Sequence, residues 1–231
     1  MKSLADCRLY TFVDSAYLRG RDPEEITRQL CEGGSDLIQL RAKDWPIEKI
    51  RRVAERLLPI ANRAGVGLVI NDYVAIAIET RAPLCHLGQE DFFNAGHTRV
   101  EQLFPRDTKV QIGLSSHAPK QAQEAVAAQA AYVAIGPVFK TDTKPHSKPV
   151  TLEYVRWAAA TMKIPWFAIG GINLQTLDSV LEAGARRVCV VSAILNRDDI
   201  AEACQEFRSR LLEVPIQETN VRHEHKPRSA G

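Results

Sequence analysis

The chain has 231 residues, 45% of them hydrophobic, which suits one large domain or two small ones around a sizeable core. A formal net charge of +2 with scattered basic residues offers no nucleic-acid surface, and no run of about 18 apolar residues exists to span a membrane. Five cysteines at 7, 31, 85, 189 and 204 form no C-x-x-C pair, and the first residues carry no apolar signal core, so a reducing cytoplasm is expected, without a disulfide framework or structural zinc.

Along the chain, short apolar runs alternate with segments of helical period. The runs predict strands at 9–13, 37–40, 68–70, 84–87, 110–114, 132–135, 166–169 and 188–191. Between them, Ile47, Ile50, Val53, Ala54, Leu57, Leu58 and Ala61 recur at steps of three and four. Residues 118–129 are rich in the good helix formers Ala and Gln. Leu174, Leu177, Val180 and Leu181 mark another helix, and Ile200, Cys204, Phe207 and Leu211 the last. Gly33-Gly34, Gly65 and Gly184 close helices shortly before the next strand, where a left-handed residue is needed. This alternation predicts an α/β fold, a (β/α)8 TIM barrel forming a single domain over residues 1–212, with an open doubly wound sheet as runner-up. Residues 213–231 have no periodicity and are expected to be a disordered tail.

A barrel of this kind places its chemistry at the C-terminal ends of the strands. Gln39-Leu40-Arg41-Ala42-Lys43 puts a guanidinium and an ammonium at the second mouth, a pairing suited to a diphosphate. Asn71-Asp72 and Gly88-Gln89-Glu90-Asp91 bring carboxylates to the next two mouths and suggest Mg²⁺, which takes few protein ligands and borrows phosphate oxygens. Asn71-Asp72 equally suits a helix cap. Ser115-Ser116-His117 supplies a hydroxyl donor and a candidate base, although a lone His there is more often structural. The loop Phe139-Lys140-Thr141-Asp142-Thr143-Lys144 offers hydroxyls and ammonium groups, and with no apolar anchor after Phe139 it is expected to order on a ligand. Gly170-Gly171-Ile172-Asn173 and Ser192-Ala193-Ile194 follow the last two strands, where barrels frequently hold a phosphate. Two separated phosphate-type arcs with carboxylates between them point to two phosphorylated ligands and transfer with loss of pyrophosphate.

These segments, in this order and over roughly residues 8–210, resemble the thiamine phosphate synthase family. The resemblance implies a transferase that joins 4-amino-5-hydroxymethyl-2-methylpyrimidine diphosphate to 4-methyl-5-(2-phosphoethyl)-thiazole, giving thiamine phosphate and pyrophosphate. It implies that Gln39, Arg41, Lys43, Asn71, Ser115 and Lys144 bind the pyrimidine diphosphate. Asp72 and Asp91 would hold Mg²⁺, and Thr141, Thr143, Gly171, Val191 and Ser192 would receive the thiazole phosphate. Arg41, Lys43, Ser115 and Lys144 are the implied catalytic set. The implied route is dissociative and needs no enzyme nucleophile. Two other readings are a thiazole tautomerase of the same superfamily using His117, and a non-catalytic barrel that senses a thiamine precursor.

The chain departs from the family pattern at several points. Phe92-Phe93-Asn94-Ala95-Gly96-His97 is unusual, and its two Phe look exposed, as pocket lining or as a contact in a homo-oligomer. Lys140 stands where Pro is common, and Pro145-His146 follows Lys144. Val150-Thr151 lies where Gly is frequent, and Gln129 replaces a helix-ending Gly.

Overall fold

The computed structural model of the protein describes residues 1–105, 107–141 and 148–216. Strands and helices alternate: β1 (Leu9–Asp14), α1 (Pro23–Glu32), β2 (Leu37–Arg41), α2 (Ile47–Arg63), β3 (Gly67–Asn71), α3 (Val74–Thr80), β4 (Leu84–Leu87) and α4 (Gln89–Asn94). There follow β5 (Gln111–Ser116), α5 (Pro119–Ala127), β6 (Tyr132–Ile135), α6 (Thr151–Thr161), β7 (Trp166–Ile169), α7 (Leu174–Glu182), β8 (Val188–Cys189), α8 (Ser192–Leu195) and α9 (Ile200–Leu212). The strands are parallel and close into one barrel, because β8 pairs with β1 through Leu9↔Val188 and Tyr10↔Cys189. Closure removes the open-sheet alternative.

The strands are buried on both faces and read as continuous apolar runs, as strands walled by helices should. Helix α2 packs one stripe inward, through Ile50, Val53, Ala54, Leu57, Ile60 and Ala61. Gly34, Gly65 and Gly184 adopt positive φ at the ends of their helices, as expected. Two departures from the family pattern fall at the same kind of position. Gln129 (φ 64) and Thr151 (φ 64) hold left-handed backbone, which Gly adopts freely and a β-branched Thr resists.

The barrel interior is filled by Tyr10, Tyr132 and Phe167, edge-to-face with ring centroids 5.4–5.9 Å apart. Gly113, opposite Tyr132 in the register, makes room for that ring; any Cβ there would overlap it. Phe92 is not exposed as expected. It is 1% accessible and meets Phe93 edge-on at 4.9 Å, so the first Phe of the unusual segment belongs to the core.

Before the start of β2, the buried Asp36 accepts from Lys2 Nζ (2.8 Å), the Arg8 and Leu9 backbone N–H groups (2.7 and 3.1 Å) and Arg208 (2.5 Å). Burial alone would raise its pKa. The hydrogen bonds and the nearby Arg208 outweigh that and hold it below the ordinary carboxylate value. Close by, Arg8 donates to the carbonyls of Leu211 and Val214, and Arg186 to that of Pro215. Residues just past 212 are therefore held against the barrel, and Val214 packs on the core. The remainder of the expected tail, from 217 onward, lies outside the described residues.

Candidate active site

A pocket open at the C-terminal mouth of the barrel collects Gln39, Arg41, Asn71, Ser115, Thr141, Gly171, Val191 and Ser192. All eight strands or their following loops contribute to its lining, which is why residues far apart in sequence meet there. Lys43, Asp72 and Asp91 stand outside this lining. Thr143 and Lys144 lie outside the described residues.

One wall of the pocket is built by register. Asp14 and Arg41 are partners across β1 and β2, and Arg41 donates to Asp14 Oδ2 at 2.7 Å. Asp14 is fully buried, while the Arg41 side chain keeps 15% of its surface at the pocket. Asp14 also accepts from Ala16 N at 3.0 Å, so one carboxylate ties the turn after β1 to the guanidinium. Lys43 is exposed and lies 3.6 Å from Asp72 Oδ2.

Asp72 is not the cap of α3: the residue preceding that helix is Tyr73, which makes no side-chain cap bond. Asp72 instead sits at φ 66, a conformation Asp tolerates, and its Oδ2 accepts from Asn71 Nδ2 at 2.6 Å. Asp91 lies exposed on the first turn of α4, and a Cβ at Gly88 would run into its Oδ2. Two carboxylates on neighbouring strand ends suit a hard cation that keeps waters. Among the described residues no group of three or more His, Cys, Asp or Glu forms a closed metal cage.

Ser115 is nearly buried, and its Oγ accepts from Gln89 N at 3.2 Å. His117 lines the pocket with Nδ1 against the Gly136 carbonyl, and its backbone N–H donates to Gln121 Oε1 at 2.6 Å. The first bond commits the Nδ1 hydrogen to a carbonyl.

On the opposite wall, Gly171 has φ 65, and a Cβ would come within 2.6 Å of the Lys140 carbonyl and 2.8 Å of Phe139 Cβ. Only glycine fits. Asn173 then caps α7, its Oδ1 accepting from Gln175 N and Thr176 N. A second, shallower pocket shares Thr141, Gly171 and Ser192 with the first, and adds Lys140 and Arg197. Of the residues expected for a second phosphate, Thr141, Gly171 and Ser192 thus sit where the two pockets join, and Val191 lines the first pocket.

Sequence reasoning missed Asp14, Tyr10, Phe12, His86 and Tyr132. Tyr10, Phe12 and His86 line the pocket, and Asp14 and Tyr132 support it. Strand parity carries the signal for most of them: Gln39 and Arg41 face inward, and so do Tyr10, Phe12 and Asp14 one strand away.

Fold and site together define a (β/α)8 barrel enzyme-like in layout, with one pocket at the C-terminal mouth lined by polar side chains and by Gly170-Gly171. The family model described as thiamine monophosphate synthase matches residues 9–194. A thiamine-phosphate synthase of Acidothermus cellulolyticus is 44% identical over 211 residues, covering 90% of this chain and 97% of its own. One from Thermus thermophilus is 42% identical over 193 residues, covering 81% and 88%. The solved thiamine phosphate pyrophosphorylase of Pyrococcus furiosus superimposes with a TM-score of 0.80 at 28% identity, covering 92% of this chain and 99% of its own. The chain belongs to the thiamine monophosphate synthase family and is accordingly an enzyme of the transferase class.

Proposed function

We propose that this chain condenses 4-amino-5-hydroxymethyl-2-methylpyrimidine diphosphate with 4-methyl-5-(2-phosphoethyl)-thiazole, releasing pyrophosphate and thiamine phosphate. The observation that carries the reading is the joining of both arcs in one pocket: Gln39, Arg41, Asn71 and Ser115 on one wall, Gly171, Val191 and Ser192 on the other.

The bond between the pyrimidine methylene carbon and the diphosphate oxygen breaks, and its electron pair leaves with the diphosphate. The thiazole nitrogen then donates its lone pair to the methylene carbon, so no proton or enzyme nucleophile is required. Arg41 and Lys43 face the charge that develops on the leaving diphosphate, joined by Lys144 from the sixth loop. Ser115 and Asn71 orient the diphosphate ester. Tyr10, Phe12, Ile169 and Ile172 give the pocket an apolar lining that keeps water from the cationic carbon. Thr141, Thr143, Gly171, Val191 and Ser192 hold the thiazole phosphate so that its ring nitrogen approaches that carbon. Asp72 and Asp91 would hold Mg²⁺, which when bound supplies further positive charge beside the diphosphate.

The five free thiols support a reducing, cytoplasmic setting. Burial raises the Cys31 thiol to about 11 and those of Cys7 and Cys204 to about 12, so all three stay protonated and unreactive near neutral pH.

The test is a coupled assay for thiamine phosphate from the two substrates, with and without Mg²⁺. Product formation that requires both substrates and metal is expected. No product with both substrates and Mg²⁺ present would sink the proposal, and full turnover in a chelator would remove the metal from it.

A further inference from the structure

Beneath the pocket, four polar side chains form an unbroken chain across the barrel. Gln39 Nε2 donates to Tyr10 Oη at 2.5 Å, Tyr10 Oη lies 3.0 Å from Tyr132 Oη, and Tyr132 Oη lies 3.1 Å from His86 Nδ1. Gln39, Tyr10 and Tyr132 are at most 3% accessible. Buried hydroxyl hydrogens left without acceptors are costly, so hydrogens must be counted along the chain.

With Gln39 Nε2 donating, Tyr10 Oη receives a hydrogen and passes its own to Tyr132. Tyr132 then passes its hydrogen to His86 Nδ1, which must be bare, so the His86 ring hydrogen resides on Nε2. A hydrogen on Nδ1 would leave one of the two hydroxyl hydrogens without an acceptor in the chain. The one other arrangement that places a hydrogen in each of the three contacts and strands no hydroxyl hydrogen is complete reversal, with His86 Nδ1–H at one end and Gln39 Oε1 accepting at the other. Burial pushes both phenol pKa values up, which keeps both hydroxyls protonated. For Tyr132 the neighbouring Tyr10 adds to the effect of burial.

The direction of this chain decides what Gln39 shows the ligand. With one Nε2 hydrogen spent on Tyr10, the amide leaves its oxygen and its second N–H for a ligand. Those two groups complement an exocyclic amine beside a ring nitrogen acceptor. In the reversed chain the amide nitrogen and oxygen exchange places, and the pair would complement a ring carbonyl beside a ring N–H. We propose that Tyr10 and Tyr132 are positioning residues that couple the ring-hydrogen position of His86 to the amide orientation of Gln39, and so make the site select a 4-aminopyrimidine diphosphate over its 4-oxo analogue. The ligand half of this inference rests on the proposed function; the hydrogen-bond half does not.

Two measurements test the halves separately. In the ligand-free protein, ¹⁵N-edited imidazole spectra of His86, assigned by their loss in His86→Asn, should show the hydrogen on Nε2 and a bare Nδ1. A hydrogen on Nδ1, alone or with one on Nε2, would overturn the assigned direction. In Tyr132→Phe the ring is kept against Gly113 while the link is cut. The ratio of kcat/KM for the 4-amino over the 4-oxo pyrimidine diphosphate should fall by roughly tenfold or more, with the KM for thiazole phosphate unchanged. An unchanged ratio would refute the coupling, and equal losses for both pyrimidines together with the thiazole would show that the phenol serves folding only. If the wild type made no product from either pyrimidine, the proposed function would fail, while the spectrum would still decide the direction of the chain.

Discussion

Replacing Asp14 by Asn keeps the size of a buried side chain and removes its charge. The carboxylate lies 2.7 Å from Arg41 Nη1, so their gross attraction is about 6 kcal/mol at an effective dielectric of about 20. Desolvation offsets part of this, and truncating one partner of a buried pair typically costs about 3–5 kcal/mol. Arg41 retains 15% exposure at the pocket and Asn can still accept its hydrogen bond, which puts the expected loss near the low end, about 3 kcal/mol. Urea unfolding of Asp14→Asn, Arg41→Met and the double variant measures it. Most of the Asp14→Asn loss comes from stranding a buried cation, so adding Arg41→Met should recover at least half of it. Kinetically, Asp14→Asn should lower kcat/KM for the pyrimidine diphosphate and leave the KM for thiazole phosphate unchanged. Strictly additive stability losses in the double variant would show that the two side chains do not depend on each other, and the positioning argument for Asp14 would fall.

Other perturbations probe the remaining parts. Gly171→Val should weaken thiazole phosphate by roughly a hundredfold, about 2.7 kcal/mol, and pyrimidine diphosphate far less; equal weakening in calorimetric titrations would contradict two separate arcs. Asp91→Asn should reduce turnover by roughly two orders of magnitude, about 3 kcal/mol, with partial recovery in excess Mg²⁺, as followed in the coupled assay. The depressed pKa of Asp36 means its contribution is complete above the unfolded value of about 3.9 and disappears as pH falls through the lower folded value. The difference in urea midpoint between wild type and Asp36→Asn should therefore be large at pH 6 and shrink with acid. Gln129→Gly relieves a left-handed Gln and should stabilise by about 0.5–1 kcal/mol in the same unfolding assay.

The barrel was legible because its strands are apolar runs punctuated by Gly and polar turns. β8 alone is clearly shorter than expected: Val190 and Val191 continue the apolar pattern, yet Val191 already precedes the turn of α8. The short helices α4 and α8 were not legible, since four to six residues give too little period to read. At the site, Arg41, Asn71, Ser115 and Ser192 stood out as polar residues at the ends of apolar runs. Tyr10, Tyr132 and His86 did not, because an aromatic inside a strand reads as core until the register shows which way it points. Asp14 was hidden for a related reason: its partner Arg41 is 27 residues away in sequence and adjacent only once β1 and β2 pair.

Asp14 and Asp36 show how position in the barrel separates a working carboxylate from a structural one. Both are buried and both pair with an arginine, so composition and burial do not distinguish them. Asp36 precedes β2, at the N-terminal face, and is enclosed by two cationic side chains and two backbone N–H groups. Its acceptor capacity is used within the fold, and Arg208 reaches it from α9, the last helix. Asp14 ends β1 at the C-terminal face and accepts from the Ala16 backbone N–H and from one guanidinium group, that of Arg41, which lines the pocket. A closed pair of the first kind contributes to stability, whereas an open pair of the second kind holds donors ready for a ligand. The consequence is measurable: saturating pyrophosphate should protect Asp14→Asn against urea, because the anion replaces the lost counter-charge of Arg41. It should leave the loss in Asp36→Asn unchanged. Equal protection of both variants would mean that the anion does not replace the charge lost beside Arg41, and the division between the two faces would not hold.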